Sequence, residues 1–392
     1  MYEARPEQDN SPTGETQPSA LVVHLRERLA IMHPAYFALA MATGIVAIAS
    51  HLLKLHEFAT ILSWVNVVAY PVLWGLFITR MVIFPDRVVA DLRNHGRAPG
   101  YFTVVAATGV LGVQAVLLHK NLLAAEMLWW GCLVLWAIAT YTVFTLLTVG
   151  DVKPSLVEGI NGGWLVAVVA TQSVCVLGCT LDGQLFGNRE MALFVLMCFW
   201  LGGGMLYLWI IGLIFYRYMF FRLSPRDLMP PYWINMGAVA ISTLAGALLA
   251  KVAENSATLG LLRPFILGLT LMFWATATWW IPMLLVLGIW RHRFHGVGVS
   301  YDPLYWGLVF PLGMYSACTF RLAGVLGTPF LLWIARAFVI AAAAAWLLSF
   351  LGLGRRLLYT LLLAMRRSSL ASFPRSNQQA TLGGCQTGGL TS

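Results

Sequence analysis

Ten apolar stretches, each about as long as a bilayer crossing, occupy most of this chain: residues 34–54, 62–84, 101–119, 122–148, 162–181, 191–216, 232–251, 262–289, 304–322 and 330–353. An α-helix needs roughly 20 residues to cross about 30 Å of hydrocarbon. Inside hydrocarbon the backbone has no partner but itself, so each stretch must be helical. The pattern predicts an all-α polytopic membrane protein. Hydrophobic residues make up 59% of the chain and charged residues only 10%, whereas a soluble domain carries about 25% charged residues. The spans and their loops use up the 392 residues, which leaves no room for a separate soluble domain.

Basic residues fall on alternate loops. One set comprises Arg5, Arg26 and Arg28 before the first span, Arg80, Arg87, Arg93 and Arg97 between spans two and three, and Lys153. It continues with Arg217, Arg222 and Arg226 between spans six and seven, Arg291 and Arg293 between spans eight and nine, and Arg355, Arg356, Arg366, Arg367 and Arg375 after the last span. The opposite loops hold Lys54, Lys120, Arg189, Lys251, Arg263 and Arg321. Basic loops stay on the cytoplasmic side, so both termini are expected inside, in a multi-pass protein of the plasma (inner) membrane. The even number of spans requires the two termini to share a side. The net charge of +9 then needs no nucleic-acid partner; lipid head groups suffice. Residues 1–32 read as a cytoplasmic tail ending in an interfacial amphipathic segment, Leu21 to Ile31. Residues 33–353 read as a ten-helix transport domain, and 354–392 as a largely disordered cytoplasmic tail. The first twenty residues lack an apolar core, so no secretory signal is expected.

The spans pair into five helical hairpins whose odd members are rich in small residues. Span one holds Ala42-Thr43-Gly44, span three Ala106-Ala107-Thr108-Gly109, and span five opens Asn161-Gly162-Gly163-Trp164. Span seven opens Asn235-Met236-Gly237-Ala238, and span nine holds Pro311-Leu312-Gly313-Met314. The even spans carry bulkier runs such as Leu128-Trp129-Trp130 and Trp279-Trp280. Small residues let helices approach closely or leave a lumen open. Two readings follow: an inner ring of five odd spans in quasi-five-fold arrangement around a central pore, or tight packing alone. Gly44, Gly109, Gly163, Gly237 and Gly313 are the candidate pore-lining or close-packing positions. Asn161 and Asn235, each just before a glycine, read as helix caps or vestibule residues, the cap being preferred for both.

Ionisable groups inside a span are costly and functional, and here they are scarce. Glu126, Asp151, Glu158, Asp182, Glu190 and Glu254 fall at or beyond span ends. That argues against cation conduction, a carboxylate proton relay and a sodium-coupled site. Arg336 lies inside span ten, where it is expected to snorkel outward. Phosphate loops, zinc-protease motifs and nucleophile elbows are missing, so no catalytic residue, metal site or cofactor is expected. Cys175 and Cys179 share a helix face but no histidine completes a metal site with them.

A pore without buried charge still conducts anions if helix N-termini and exposed backbone offset part of the dehydration cost. Such a pore needs a gate. Pro311 cannot donate to the carbonyl of Gly307, so span nine kinks within Trp306-Gly307-Leu308-Val309-Phe310-Pro311-Leu312-Gly313. Phe310 stands at the kink, where a ring either plugs a narrow lumen or faces lipid.

The opening His33-Pro34-Ala35-Tyr36-Phe37 followed by Met41-Ala42-Thr43-Gly44-Ile45, with Tyr232-Trp233-Ile234-Asn235-Met236-Gly237-Ala238 and Tyr305-Trp306-Gly307-Leu308-Val309-Phe310-Pro311, resembles the tellurite-resistance/dicarboxylate-transporter family. That family includes fungal malate permeases and sulfite efflux pumps, bacterial tellurite-resistance proteins and plant slow-type anion channels. The resemblance covers roughly residues 33–353. It implies five hairpins around a pore lined by odd helices, a homotrimer with one pore per subunit, and a pore-blocking phenylalanine at Phe310. The expected activity is passage of small anions, C4-dicarboxylates such as malate first, with sulfite, tellurite, chloride or nitrate efflux as the alternative. A membrane-embedded redox enzyme is the competing class.

Overall fold

The computed structural model describes residues 20–225, 227–298 and 301–371, and contains no strand among them. Of the expected tails, 1–32 and 354–392, residues 1–19 and 372–392, with Cys385, lie outside the described residues, as does the loop residue Arg226; the described part of the second tail continues the last helix to Ala371. Two compact units separate. One is residues 31–354. The other joins the helix Ala20–Ala30, which carries exposed Val22, Val23, Leu25, Arg26 and Arg28, with the described residues after Gly354.

Among the described residues, ten helices are long and apolar enough to span a membrane: Pro34–Leu52, His56–Ile83, Ala98–Leu117, Leu122–Val149, Gly162–Thr180, Arg189–Phe220, Pro230–Asn255, Ala257–Phe294, Pro303–Leu326 and Pro329–Thr360. They correspond one to one to the apolar stretches and are numbered one to ten. The even helices overrun those stretches, because backbone hydrogen bonding continues past the hydrocarbon edge where side chains turn polar. Span eight thus ends in a π-helical turn, Trp290–Phe294, that carries Arg291 and Arg293.

The odd spans pack side by side in the order one, three, five, seven, nine, and nine closes onto one. Each even span lies outside this ring. In the odd spans 72–94% of the membrane window is buried, against 17–39% in the even spans. This difference separates an inner ring of five from an outer layer of five.

A glycine stands at each seam of the ring. A methyl group on Gly44 would collide with Val110, one on Gly109 would meet Ser173 at 2.8 Å, and one on Gly162 would run into the backbone of Pro231 and Tyr232. On Gly237 it would reach Pro311 Cγ at 2.7 Å, and on Gly313 it would reach Ile45 Cγ2 at 3.1 Å. Removing the side chain at these places lets neighbouring backbones close up. The outer layer is tied on by directional bonds. Trp346 Nε1 of span ten donates to Thr43 Oγ1 of span one at 2.9 Å, and Trp200 Nε1 of span six donates to the Ser242 carbonyl at 2.9 Å.

Every odd span begins with a 3₁₀ turn: Pro34–Phe37, Ala98–Tyr101, Gly162–Leu165, Pro230–Trp233 and Pro303–Tyr305. Proline sits at the first or second position of four of them, where its missing N–H costs no hydrogen bond. The even spans four, six and eight start differently. Asn121, Asn188 and Ser256 cap them by accepting from Ala124, Met191 and Leu259 N–H.

Candidate functional site

The N-terminal ends of all five odd spans enclose one cavity of about 390 Å³. Each span contributes its 3₁₀ turn and the helical turn after it. Ala38 and Met41 come from span one, Thr103 from span three, Val166 from span five, Ile234 from span seven and Gly307 from span nine. The loops at this end are the ones that carry most of the basic residues.

Local chemistry holds the turns open to the cavity. Asn161 Oδ1 accepts from Gly163 N–H at 2.8 Å, which fixes the two-glycine entry of span five, and Trp164 Nε1 donates to the Gly159 carbonyl at 2.8 Å. Thr103 Oγ1 donates to the Gly100 carbonyl at 2.6 Å. His33 caps span one: its Nδ1 accepts from Ala35 N–H at 3.1 Å, so the ring is neutral at that nitrogen. Burial, and then the Arg97 guanidinium, push its pKa down from 6.5 to about 4.

Charge at this end is arranged in two groups. Asp91 is shared by two guanidinium groups, Arg80 Nη2 at 2.6 Å and Arg97 Nε at 2.5 Å, and Arg97 also donates to the Met32 carbonyl. Gly96 and Pro99, on either side of Arg97, line the cavity. The second group is Arg217, near the end of span six. It is 7% exposed, forms part of the cavity wall, donates to the Ile160 carbonyl at 3.1 Å and faces Asp227 at 3.5 Å. Glu158, exposed and bonded to Ser155 Oγ, also contributes to the lining. The positive ends of five helix dipoles point at this space.

The residues singled out from the sequence sit at different depths. Gly163 lines the cavity. Gly44, Gly109, Gly237 and Gly313 occupy ring seams. Phe310 is fully buried, three residues beyond Gly307 on span nine, hence about 4.5 Å deeper at the rise of an α-helix. Pro311 packs against Gly237. Asn161 is both cap and cavity residue. Asn235 is not a cap: span seven starts at Pro230, and Asn235 lies in its first α-helical turn with its Nδ2 donating to Tyr218 Oη at 3.3 Å. Arg336 is exposed on span ten. Cys175 and Cys179 are buried free thiols 3.9 Å apart, and no metal-binding cluster occurs among the described residues. Arg217 reads in the sequence only as a basic residue of the loop after span six, and Tyr218 and Asp227 are not singled out there, because only the folded ring brings these residues to the cavity.

Residues 31–353 match the voltage-dependent anion channel family. An uncharacterized transporter of Methanocaldococcus jannaschii is 25% identical over 299 residues, covering 74% of this chain and 85% of the relative. A sulfite efflux pump of Arthroderma benhamiae is 24% identical over 341 residues, 81% of this chain and 88% of the pump. An uncharacterized membrane protein of Mycobacterium tuberculosis is 35% identical over 156 residues, 40% of this chain and 79% of that protein.

Proposed function

The chain belongs to the voltage-dependent anion channel family, and we propose that it passes small anions along the axis of the odd-span ring, with C4-dicarboxylates such as malate as the first substrate class. The observation that carries this reading is the cavity built jointly by five helix N-termini. A single axis reached from five equivalent ends is suited to a conduit, and N-terminal dipoles favour negative charge there. The excess of basic residues on the loops of this end supports a cytoplasmic orientation, in which the cavity is the inner vestibule and both termini are cytoplasmic. Phe310, buried about one turn deeper, is the gate, and Pro311, which withholds a backbone N–H from the helix, allows it to move. The assembly is a homotrimer in the plasma membrane, each subunit with its own pathway. Similarity to sulfite efflux pumps supports a second substrate reading, sulfite or another inorganic oxyanion.

The test is flux in proteoliposomes with malate, sulfite, tellurite, chloride and nitrate measured in parallel under controlled voltage. Selective malate flux supports the first reading. Selective sulfite or tellurite flux favours the second, and absence of flux for every anion removes both.

A further inference from the structure

Among the charged groups of the vestibule, Arg217 stands apart in how its charge is met. It is buried in the wall, and its ion pair with Asp227 is long, 3.5 Å from Nη2 to Oδ2. Elsewhere Arg80 meets Asp91 and Arg263 meets Glu254 at 2.6 Å. A charge-assisted hydrogen bond closes to about 2.7–2.9 Å, so Arg217 and Asp227 face each other without bonding. Asp227 is held back in its own turn, where Oδ2 accepts from Ser224 N–H at 2.9 Å. A guanidinium has five N–H donors, and of these the Ile160 carbonyl takes one. A buried cation compensated this loosely is held at a cost, and an anion with two oxygens in one plane would relieve it.

We propose that Arg217 is an oxyanion-binding residue of the inner vestibule and that Asp227 is its resident counter-carboxylate, displaced when the transported anion arrives. This rests on the reading of the chain as an anion pathway and names the chemistry of its first binding site. The ligand class is a carboxylate or a sulfite-type oxyanion, able to accept two parallel N–H bonds from the guanidinium fork. A halide is a single point acceptor and gains less from that fork. The cavity is roomy enough for a small dicarboxylate with water. Asp227 is partly exposed, at 32% of its side chain, so it can swing into solvent when an anion takes its place. Its negative charge keeps the resting vestibule neutral around Arg217 and holds affinity low, which lets ions leave as well as enter. Glu158 opposes anions at the rim, where solvent screens it.

Three full-length proteins test this: wild type, Asp227→Asn and Arg217→Lys. Malate, sulfite and chloride are titrated into each by calorimetry in detergent, and flux is measured in liposomes. Asp227→Asn removes the competitor without touching the guanidinium, so malate and sulfite should bind about tenfold more tightly, with chloride shifted less. Arg217→Lys keeps the charge and loses the fork. It should weaken malate and sulfite binding about tenfold and chloride binding less. If Arg217→Lys fails to fold by size exclusion, Asp227→Asn alone decides. Unchanged oxyanion affinity in well-folded Asp227→Asn overturns the proposal, as does an equal shift for chloride. The two failures are distinguishable. Oxyanion binding that responds to these substitutions in a protein that carries no anion would sink the transport reading and leave the site, whereas malate and sulfite affinity indifferent to both substitutions in a protein that still carries those anions would sink the site and leave transport.

Discussion

At the scale of single residues, burial decides more than residue type. Phe310 has no exposed surface, so truncating it has two separable outcomes. If its ring closes a lumen, Phe310→Ala raises anion flux several-fold with little loss of stability. If it is packed among neighbours on all sides, the same change costs about 3–5 kcal/mol and lowers yield with no gain in flux. Flux per folded protein is therefore the measurement, and unchanged flux in a stable variant ends the gate proposal. His33 offers a test through pH. Its ring titrates near 6.5 in the unfolded chain and near 4 when folded, because burial and then Arg97 disfavour the imidazolium. Between those values the unfolded chain takes up a proton that the folded protein does not. The stability His33 supplies is thus present above pH 6.5 and lost as the pH falls toward 4. Asn in its place keeps a capping oxygen for Ala35 N–H and removes the titration. The fall in melting temperature from pH 7 to pH 4.5 should be smaller in His33→Asn than in wild type by roughly 2–4 °C. An equal fall in both would show that the ring is not the group responsible.

At the scale of elements, the chain is punctuated more plainly than it first reads. Alternating small and bulky spans foretell which helices form the ring, because a helix with neighbours on every side must be slim, whereas one facing lipid need not be. Helix ends were harder to place. The apolar run marks the hydrocarbon, and a helix such as Ala257–Phe294 continues beyond it on backbone bonds alone. Pro34, Pro99, Pro230 and Pro303 stand in four of the 3₁₀ entries of the odd spans, but a proline near a helix start foretells a boundary and not the tighter winding behind it. The vestibule was half legible: Asn161 and Gly163 are there, yet Arg217 looked like one more inside arginine, since nothing local says that a loop will bury it. The seam glycines give this scale its prediction. A Cβ on Gly237 would lie 2.7 Å from Pro311 Cγ, in a ring that cannot rotate away. Gly237→Ala should cost about 1–3 kcal/mol by overpacking. Gly75 on span two is exposed with no neighbour within 4 Å, so Gly75→Ala should be neutral or stabilising by up to about 1 kcal/mol. Melting curves of the two variants in detergent compare them directly, and equal loss at both positions would mean that the seams are not tightly closed.

At the scale of the whole molecule, orientation decides what the vestibule is for. The ring has two unlike ends. One gathers the 3₁₀ turns, the cavity, and the Arg80–Asp91–Arg97 and Arg217–Asp227 groups. At the other end Arg189 and Arg263 are paired with Asp182 and Glu254. If the basic loops are cytoplasmic, anions leaving the cell meet the cavity and its arginine first, and efflux begins with binding. If they are external, the same cavity becomes a capture site for uptake, and the roles of gate and vestibule reverse for each direction of flux. Labelling from outside with a membrane-impermeant thiol reagent distinguishes the two. Asn255 and Asn94 are both exposed and lie at opposite ends of the ring. Asn255→Cys should label in intact cells. Asn94→Cys should label only after the membrane is opened. Cys198, exposed on span six, is replaced by Ser in both variants to lower the background. Labelling of Asn94→Cys in intact cells, with Asn255→Cys protected, would turn the molecule over and make the Arg217 site an external one.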